Sequence, residues 1–177
     1  MTDEQRRRGP AATQVEATGQ HVRANVSRLR KSRGLTTYQL AQRMAEAGRP
    51  IPQSGISRIE SGTRRVDVDD LTALAGVLGV SPSALLLPLD DSPGSTIEIT
   101  GAGTVAADVA WDWADGKRPL RVTGHDIGAA RLEFELYGRP AGRRGRLPHR
   151  GGTSDVADVN EWLQEAGVEP PDGGTDG

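Results

Sequence analysis

The sequence predicts a mainly α-helical protein, with a five-helix domain in the first half of the chain, a small α+β module after it, and disordered tails. Apolar residues recur at helical spacing between residues 20 and 88, in short runs that end at glycine or proline. Beyond that stretch the pattern changes to short alternating segments. Aromatic residues make up 3% of the 177 residues, beside 23 Gly and 11 Pro, so parts of the chain should lack a core.

The first two helices are predicted over residues 21–33 and 38–47. Each carries one apolar stripe and ends at a glycine, Gly34 or Gly48. The inward positions are Val22, Val26 and Leu29 in the first helix and Leu40, Ala41 and Met44 in the second. Thr36 or Thr37 is expected to cap the second helix, because a hydroxyl oxygen accepts a hydrogen bond from a backbone N–H of the first turn.

Three further helices complete the predicted domain. The third spans residues 53–61, and Asp67 caps the fourth. The apolar residues of the fourth helix recur at i, i+3, i+4 and i+7, as Leu71, Leu74, Ala75 and Leu78. A Ser-Pro pair at 81–82 opens a fifth helix that runs through Leu86, and Pro88 closes the domain.

Charge is distributed unevenly along the chain, and the net charge of -2 hides this. Residues 21–65 contain ten Lys and Arg against two acidic residues, a local charge of +8. Residues 66–91 contain five aspartates and no base, and residues 151–177 contain seven acids and no base. A basic block of this kind is typical of phosphate binding. A solvated helical surface is the alternative interpretation.

The third helix has one apolar side and one hydrogen-bonding side. Ile56 and Ile59 can anchor it in a core. The opposite side carries Gln53, Ser54, Ser57 and Arg58. A short helix of this composition suits the major groove of DNA, where Gln pairs bidentately with adenine and Arg with guanine.

Four motifs follow one another between residues 21 and 88. They are Arg30-x-x-x-Gly34-Leu35, Thr37-Tyr38-Gln39-Leu40-Ala41, Gly55-Ile56-Ser57-Arg58-Ile59-Glu60-Ser61-Gly62, and Leu71-x-x-Leu74-Ala75-x-x-Leu78-Gly79-Val80. This ordered set resembles the Cro/C1-type (Xre-like) helix-turn-helix family of phage repressors. The resemblance covers little over a third of the chain and implies a five-helix lambda-repressor-like domain that binds double-stranded DNA.

The resemblance also implies roles for particular residues. Base reading is expected from Gln53, Ser54 and Arg58, with Ser57 on a base or a phosphate. Phosphate contacts are expected from Thr37, Tyr38, Thr63, Arg64 and Arg65. Arg30 and Glu60 should form a partly buried ion pair between the first and third helices. The sequence departs from the family pattern at one place: extra residues around 45–50 should lengthen the second helix and widen the following loop. Gly55 should let the backbone approach DNA closely.

The rest of the chain is predicted to be less ordered than residues 20–88. The predicted segments are a disordered arm over 1–19, a linker over 89–95, a small α+β module over 96–137, and a flexible basic segment, short acidic helix and tail over 138–177. The three arginines at 6–8 in the arm either contact DNA or are solvated. The five arginines between residues 138 and 153 leave the same two possibilities open.

Within the α+β module, strands are predicted over residues 96–100 and 131–137, where apolar and polar residues alternate. A helix is predicted over residues 104–114. Its inward residues should be Val105 and Val109, with either Trp113 or Ala110 as the third. The acidic helix near the C-terminus is predicted over residues 155–166.

Chemistry typical of enzymes is not evident in the sequence. There is no cysteine, and His21, His125 and His149 lie far apart, so we expect no metal site, no catalytic site and no cofactor. No apolar run approaches the roughly 20 residues needed to cross a bilayer. We therefore expect a soluble, cytoplasmic protein without a membrane segment.

The leading functional hypothesis is a sequence-specific DNA-binding transcriptional regulator, acting as a homodimeric repressor. Its dimer surface is expected either within residues 97–137 or along the fifth helix. The alternative is an antitoxin-type or immunity-type protein whose C-terminal half binds a protein partner and whose helix-turn-helix mainly autoregulates. A helical bundle that has lost DNA binding is a third possibility, and the basic block argues against it.

Overall fold

A computed structural model describes residues 15–92, 94–122, 127–144, 148–149 and 152–153. The chain divides into two compact units, Met1–Ala114 and Asp115–Gly177. The described residues are mainly helical, with a small antiparallel sheet, which confirms the predicted fold class. Residues 1–14 of the predicted arm, the predicted acidic helix and the tail lie outside the described residues.

The first unit begins with five helices: α1 (Ala17–Ser32), α2 (Thr37–Glu46), α3 (Gln53–Ser61), α4 (Val68–Val77) and α5 (Ser83–Leu86). Helix α1 begins before the predicted residue 21, so residues 17–19 are helical and do not belong to a disordered arm. Val15, directly before the helix, is buried, and its carbonyl oxygen accepts a hydrogen bond from the Gln20 side chain. Packing of this kind extends a helix beyond its apolar repeat.

The core of the helical domain lies where the five apolar stripes meet. Its buried members include Val22, Val26, Leu29, Leu40, Ala41, Met44, Ile51, Ile56, Ile59, Leu74, Ala75, Leu78 and Leu85. The set contains the inward positions predicted for the first three helices, and three of the four predicted for α4. The fourth, Leu71, is half-buried and packs against the same cluster.

The ends of α2 agree with the glycine and threonine signals in the sequence. Thr36 is its cap, because the Gln39 N–H donates to Thr36 Oγ1 at 3.1 Å while Gln39 Oε1 accepts from the Thr36 N–H at 2.8 Å. Gly48, at φ +78°, follows its C-terminus. Since α2 ends at Glu46, the extra residues around 45–50 belong mostly to the loop before α3.

A β-hairpin and a sixth helix follow within the first unit. Strands β1 (Thr96–Ile99) and β2 (Gly103–Ala106) pair antiparallel, with Ile97 opposite Val105, and α6 spans Ala107–Ala114. Strand β1 confirms the first predicted strand. The helix predicted from residue 104 was placed too early, because residues 103–106 pair with β1 across a glycine-containing turn. In α6 the buried residues are Ala107 and Ala110, the second of which was the stated alternative, while Val109 is half-buried and Trp113 is exposed.

Side-chain hydrogen bonds join this hairpin to α1. Thr18 and Thr100 exchange two bonds: each backbone N–H donates to the other residue's hydroxyl oxygen, at 3.2 and 3.0 Å. The Trp111 indole N–H donates to the Pro88 carbonyl oxygen at 2.9 Å, which joins α6 to the end of the helical domain. These contacts lie within the first compact unit, which contains the helical domain, the hairpin and α6 and extends to Ala114.

The second unit contains helix α7 (Ile127–Gly138), where a strand was predicted over residues 131–137. That prediction was wrong: the alternation of apolar residues coincides with a run of strong helix formers such as Ala, Arg, Leu and Glu. After α7, a 3-10 turn (Ala141–Arg143) lets Arg144 donate to the carbonyl oxygens of Leu136 and Arg139, at 2.8 and 3.2 Å. Strands β3 (Pro148–His149) and β4 (Gly152–Thr153) pair antiparallel.

Candidate nucleic-acid interface

Helix α3 has the two-sided character that the sequence predicts. Ile56 and Ile59 are buried in the core, whereas all four predicted base readers are exposed. Those four are Gln53, Ser54, Ser57 and Arg58. Helical spacing places them along one continuous face, so hydrogen-bonding groups are presented over the length of the helix.

Three of these four side chains donate hydrogen bonds to other groups of the domain. Gln53 Nε2 donates to Thr37 Oγ1 at 3.3 Å, which links the first turn of α3 to the first turn of α2. Ser57 Oγ donates to the Gln53 carbonyl oxygen at 3.1 Å, and Arg58 Nε donates to the Ser54 carbonyl oxygen at 3.4 Å. Such exposed bonds are weak enough to be exchanged for bonds to a base edge.

Three of the five residues expected to bind phosphate are exposed in this region, and Thr37 and Arg64 are half-buried. Tyr38 is exposed beside Thr37 in the first turn of α2, where the helix dipole adds positive potential. Thr63 and Arg65 are exposed after α3, and the Arg65 guanidinium lies 3.9 Å from Glu16. Thr63 Oγ1 lies 2.9 Å from Ser61 Oγ, so these two hydroxyls share a hydrogen bond at the end of α3.

Arg64 differs from the other four because it is engaged with the interior of the domain. Its Nη2 donates to Asp70 Oδ2 at 2.6 Å, and its backbone N–H donates to the Arg58 carbonyl oxygen at 3.1 Å. Its side chain is 34% exposed, so this short ion pair gives Arg64 a contact within the domain beside the expected phosphate contact, which stays a prediction.

Asp70 is a functional candidate that the sequence analysis missed. Its side chain is 1% exposed, and both of its oxygens are bound by arginines: Arg49 Nε donates to Oδ1 at 2.8 Å and Arg64 Nη2 donates to Oδ2. Asp70 lies four residues before Leu74, on the apolar stripe of α4. An aspartate on an apolar stripe is the signal that could have found it, since a buried carboxylate requires a cationic partner.

Gly55 faces the protein interior, which corrects the expectation that it lets the backbone approach DNA. A Cβ atom at this position would lie 2.8 Å from Ile51 Cγ2 and 2.9 Å from Arg64 Nη1. Glycine is therefore needed because a loop residue and an arginine pack against the first turn of α3. The atoms that come close to Gly55 therefore belong to the protein and not to DNA.

The ion pair expected between Arg30 and Glu60 is present. Arg30 donates from Nε and Nη2 to the two carboxylate oxygens of Glu60, at 2.6 and 2.8 Å, and from Nη1 to the Leu35 carbonyl oxygen at 2.7 Å. The hydrogen bond to Glu60 raises the pKa of the Arg30 guanidinium. Arg23 Nη1 donates to the Ser61 carbonyl oxygen at 3.1 Å, so two arginines of α1 hold the C-terminal end of α3.

Comparison with known proteins bears on the helical domain. A family model described as helix-turn-helix matches residues 26–85. An "Uncharacterized HTH-type transcriptional regulator y4dJ" from Sinorhizobium fredii (strain NBRC 101917 / NGR234) is 39% identical over 75 residues, which is 42% of this chain and 91% of that protein. The chain belongs to the Cro/C1-type helix-turn-helix family of DNA-binding regulators. No solved structure matches significantly.

Membership of this family accounts for α1 to α5, whereas β1, β2 and α6 lie beyond the matched residues. Within the part of the chain that the structure describes, no helix is long and apolar enough to cross a membrane. The same residues contain no cluster of three or more His, Cys, Asp or Glu side chains arranged to hold a metal ion.

Proposed function

We propose that this protein is a sequence-specific transcriptional repressor that acts in the cytoplasm as a homodimer and reads the major groove of DNA with α3. The observation that carries the proposal is the exposed face of α3, where four hydrogen-bonding side chains lie opposite two buried isoleucines. The surrounding block of +8 supports it, because phosphate attraction supplies much of the affinity for DNA. The family and its relative support a role in transcription.

In this proposal the exposed side chains divide by chemistry into base readers and phosphate binders. Gln53 at the start of α3 can pair bidentately with adenine, and Arg58 can pair bidentately with guanine. Ser54 and Ser57 add shorter hydrogen-bonding groups between them. Phosphate contacts come from Thr37 and Tyr38 at the start of α2 and from Thr63, Arg64 and Arg65 after α3.

Dimerisation supplies the affinity that one small module lacks. A single reading helix contacts few base pairs, and joining two modules makes the second contact effectively intramolecular. A two-fold protein then requires a pseudo-palindromic site, and occupation of such a site at a promoter blocks transcription. Sedimentation of the full chain, compared with a chain truncated after Ala114, tests whether the second unit carries the dimer contact.

Selection of duplexes from a random pool by the full-length protein tests the proposed DNA recognition. We expect sequencing of the bound fraction to yield an enriched motif with two-fold symmetry and half-sites about 10 base pairs apart, or a multiple of that spacing. The same protein carrying Gln53→Ala and Arg58→Ala together serves as the control, and it should enrich no motif. Binding without any enriched sequence from the unaltered protein would contradict base reading.

A second candidate function concerns the chain beyond the family match. The match ends at residue 85, and a separate unit with its own helix α7 follows Ala114. We also consider that this part binds a protein partner, with the helix-turn-helix domain serving autoregulation as in antitoxin-type proteins. Co-purification of the same partner by the full chain, and its loss after truncation at Ala114, would favour this function.

A further inference from the structure

The buried carboxylate of Asp70 is bound by two arginines that lie on opposite sides of α3 in the sequence. Arg49 lies in the loop before α3, and Arg64 lies just after its C-terminal end. Each arginine takes a different oxygen, with Arg49 Nε on Oδ1 at 2.8 Å and Arg64 Nη2 on Oδ2 at 2.6 Å. One carboxylate therefore joins the two ends of the segment from residue 49 to residue 64, which contains all of α3. We name this group of three residues the Asp70 clamp.

The carboxylate itself is held in a fixed position by the first turn of α4. The Asp70 backbone N–H donates to Asp67 Oδ1 at 2.7 Å, as in a standard helix cap. Arg49 Nη2 contacts both oxygens of Asp67, at 3.1 and 2.9 Å. Arg49 thus bridges two carboxylates of the same turn, which fixes the loop before α3 to the start of α4.

Helix α3 needs support of this kind because its own sequence does not stabilise it well. It is nine residues long, and Pro52 at its cap position offers no side-chain hydrogen bond. A helix this short is marginal in isolation, and glycine inside it lowers its stability further. The glycine is Gly55, and the guanidinium of Arg64 packs against it. The arginine that binds Asp70 is therefore also in contact with the first turn of α3.

We propose that Asp70 is a positioning residue that sets the orientation of α3 toward DNA, by clamping the two loops on either side of the helix through Arg49 and Arg64. The proposal rests on the proposed function, because the proposed function assigns the base readers to α3. The clamp leaves the reading side chains untouched and acts on the backbone that carries them. Its loss lowers the preference for the selected sequence more than the affinity for DNA in general, because misplaced side chains lose base contacts but keep their charge.

The first test compares Asp70→Asn with Asp69→Asn, two variants with the same charge change on neighbouring residues. The amide introduced by Asp70→Asn offers one carbonyl oxygen in place of two carboxylate oxygens, so one arginine loses its partner. Asp69 is 80% exposed, and its ion pair with Arg49 is long, at 3.8 Å, so its loss leaves both arginines bound to Asp70. The measured quantity is the ratio of dissociation constants for random and selected duplexes of equal length. We expect the ratio to fall about tenfold for Asp70→Asn, the size of one lost base contact, and to stay within about twofold for Asp69→Asn.

A second variant keeps the test decisive if Asp70→Asn does not fold. Arg49→Gln leaves the buried pair between Asp70 and Arg64 intact, and the Arg49 side chain is 40% exposed, so the domain should remain folded. We expect the same ratio to fall severalfold, in a protein whose circular dichroism is unchanged. A folded Arg49→Gln variant with the ratio of the unaltered protein would overturn the proposal, as would a folded Asp70→Asn variant with that ratio.

Hydrogen exchange separates failure of the clamp from failure of the proposed function. In the Arg49→Gln protein without DNA, amides of α3 should exchange about tenfold faster, while amides of α1 change little. If the unaltered protein selects no DNA sequence, the proposed function fails, and faster exchange confined to α3 still supports the clamp. Equal changes in α1 and α3 would instead show a general loss of stability, and the positioning role would then be wrong.

Discussion

Two sets of ion pairs hold α3, and they differ in which charge is buried. At the C-terminal end, Arg30 and Glu60 are both largely buried, with side chains 12% and 13% exposed. In the Asp70 clamp the acid is 1% exposed, whereas Arg49 and Arg64 are 40% and 34% exposed. The first is a closed pair between two helices, and the second is a buried carboxylate reached by two arginines from the surface.

This difference determines how each site responds to the loss of one charge. In the closed pair, removal of either partner leaves the other charge largely buried and unpaired, which is strongly destabilising. In the Asp70 clamp, either arginine can be lost while the other still neutralises the carboxylate. We therefore expect a single substitution in the closed pair to lower the stability of the domain. At the Asp70 clamp, we expect a large loss of stability only when both arginines are removed.

The largest effect is expected from Arg49→Gln combined with Arg64→Gln. The double variant leaves the Asp70 carboxylate buried without a cation, which should lower the free energy of unfolding by about 3–5 kcal/mol, measured by urea denaturation. Each single variant should lose less than half of that amount. The control is Arg43→Gln with Arg65→Gln, which removes the same charge from exposed positions. Simple additivity of the two single losses would contradict a shared carboxylate.

The closed pair is tested by Glu60→Gln. Arg30 would keep its hydrogen bond to the Leu35 carbonyl oxygen but lose its charged partner, so the free energy of unfolding should fall by about 2–3 kcal/mol. Glu46→Gln, at an exposed site in the same basic block, is the matched control and should change stability by less than about 0.5 kcal/mol. An unchanged melting temperature for Glu60→Gln would show that the pair contributes nothing.

The face that both sites support is tested by comparing Arg58→Ala with Arg65→Ala. Arg58→Ala should cost about 1–3 kcal/mol on selected DNA and relax the preference at one position. Arg65→Ala should weaken binding to all duplexes alike and reduce the slope of log affinity against log salt by about one. Titrations at several salt concentrations measure both quantities. Equal losses on selected and random DNA for Arg58→Ala would remove it from the base readers.

The smallest expected effect is on the stability of the protein at acidic pH. Hydrogen bonding from the Asp70 backbone N–H, with the nearby charge of Arg49, lowers the pKa of Asp67 below its ordinary value. A lowered folded-state pKa means that the stabilisation is present above the unfolded-state pKa of about 3.9 and is lost as pH falls through the folded-state value.

Melting temperatures of Asp67→Asn and the unaltered protein, measured from about pH 6 to about pH 2, test this linkage. We expect the unaltered protein to be the more stable above the unfolded-state pKa, and the difference to shrink as pH falls. Asp69→Asn provides the comparison for a neighbouring acid on the same turn. A difference that stays constant over the whole range would exclude a contribution from ionised Asp67.

Local signals were sufficient to predict helix α3. Pro52 and Gly62 enclose residues 53–61, and α3 has these bounds. The Arg30 and Glu60 contact was also expected, because Glu60 is one of two acids in a block with ten Lys and Arg, and the family motifs contain both residues. The exposed and buried sides of α3 follow from helical spacing alone. These features depend on residues close together in the chain, or on a recurring family pattern.

Contacts between distant residues decided the remaining features. The start of α1 lies beyond its apolar repeat, where Val15 is buried and Thr18 exchanges hydrogen bonds with Thr100. Strand β2 forms because residues 103–106 pair with β1. The role of Asp70 depends on the folded arrangement, which places the loops that carry Arg49 and Arg64 beside its carboxylate. The sequence by itself determined the helices of the domain and the polar face of α3, since turn signals and apolar periodicity act over a few residues. Tertiary structure decided the hairpin and the clamp, because pairing energies depend on groups that only folding brings together.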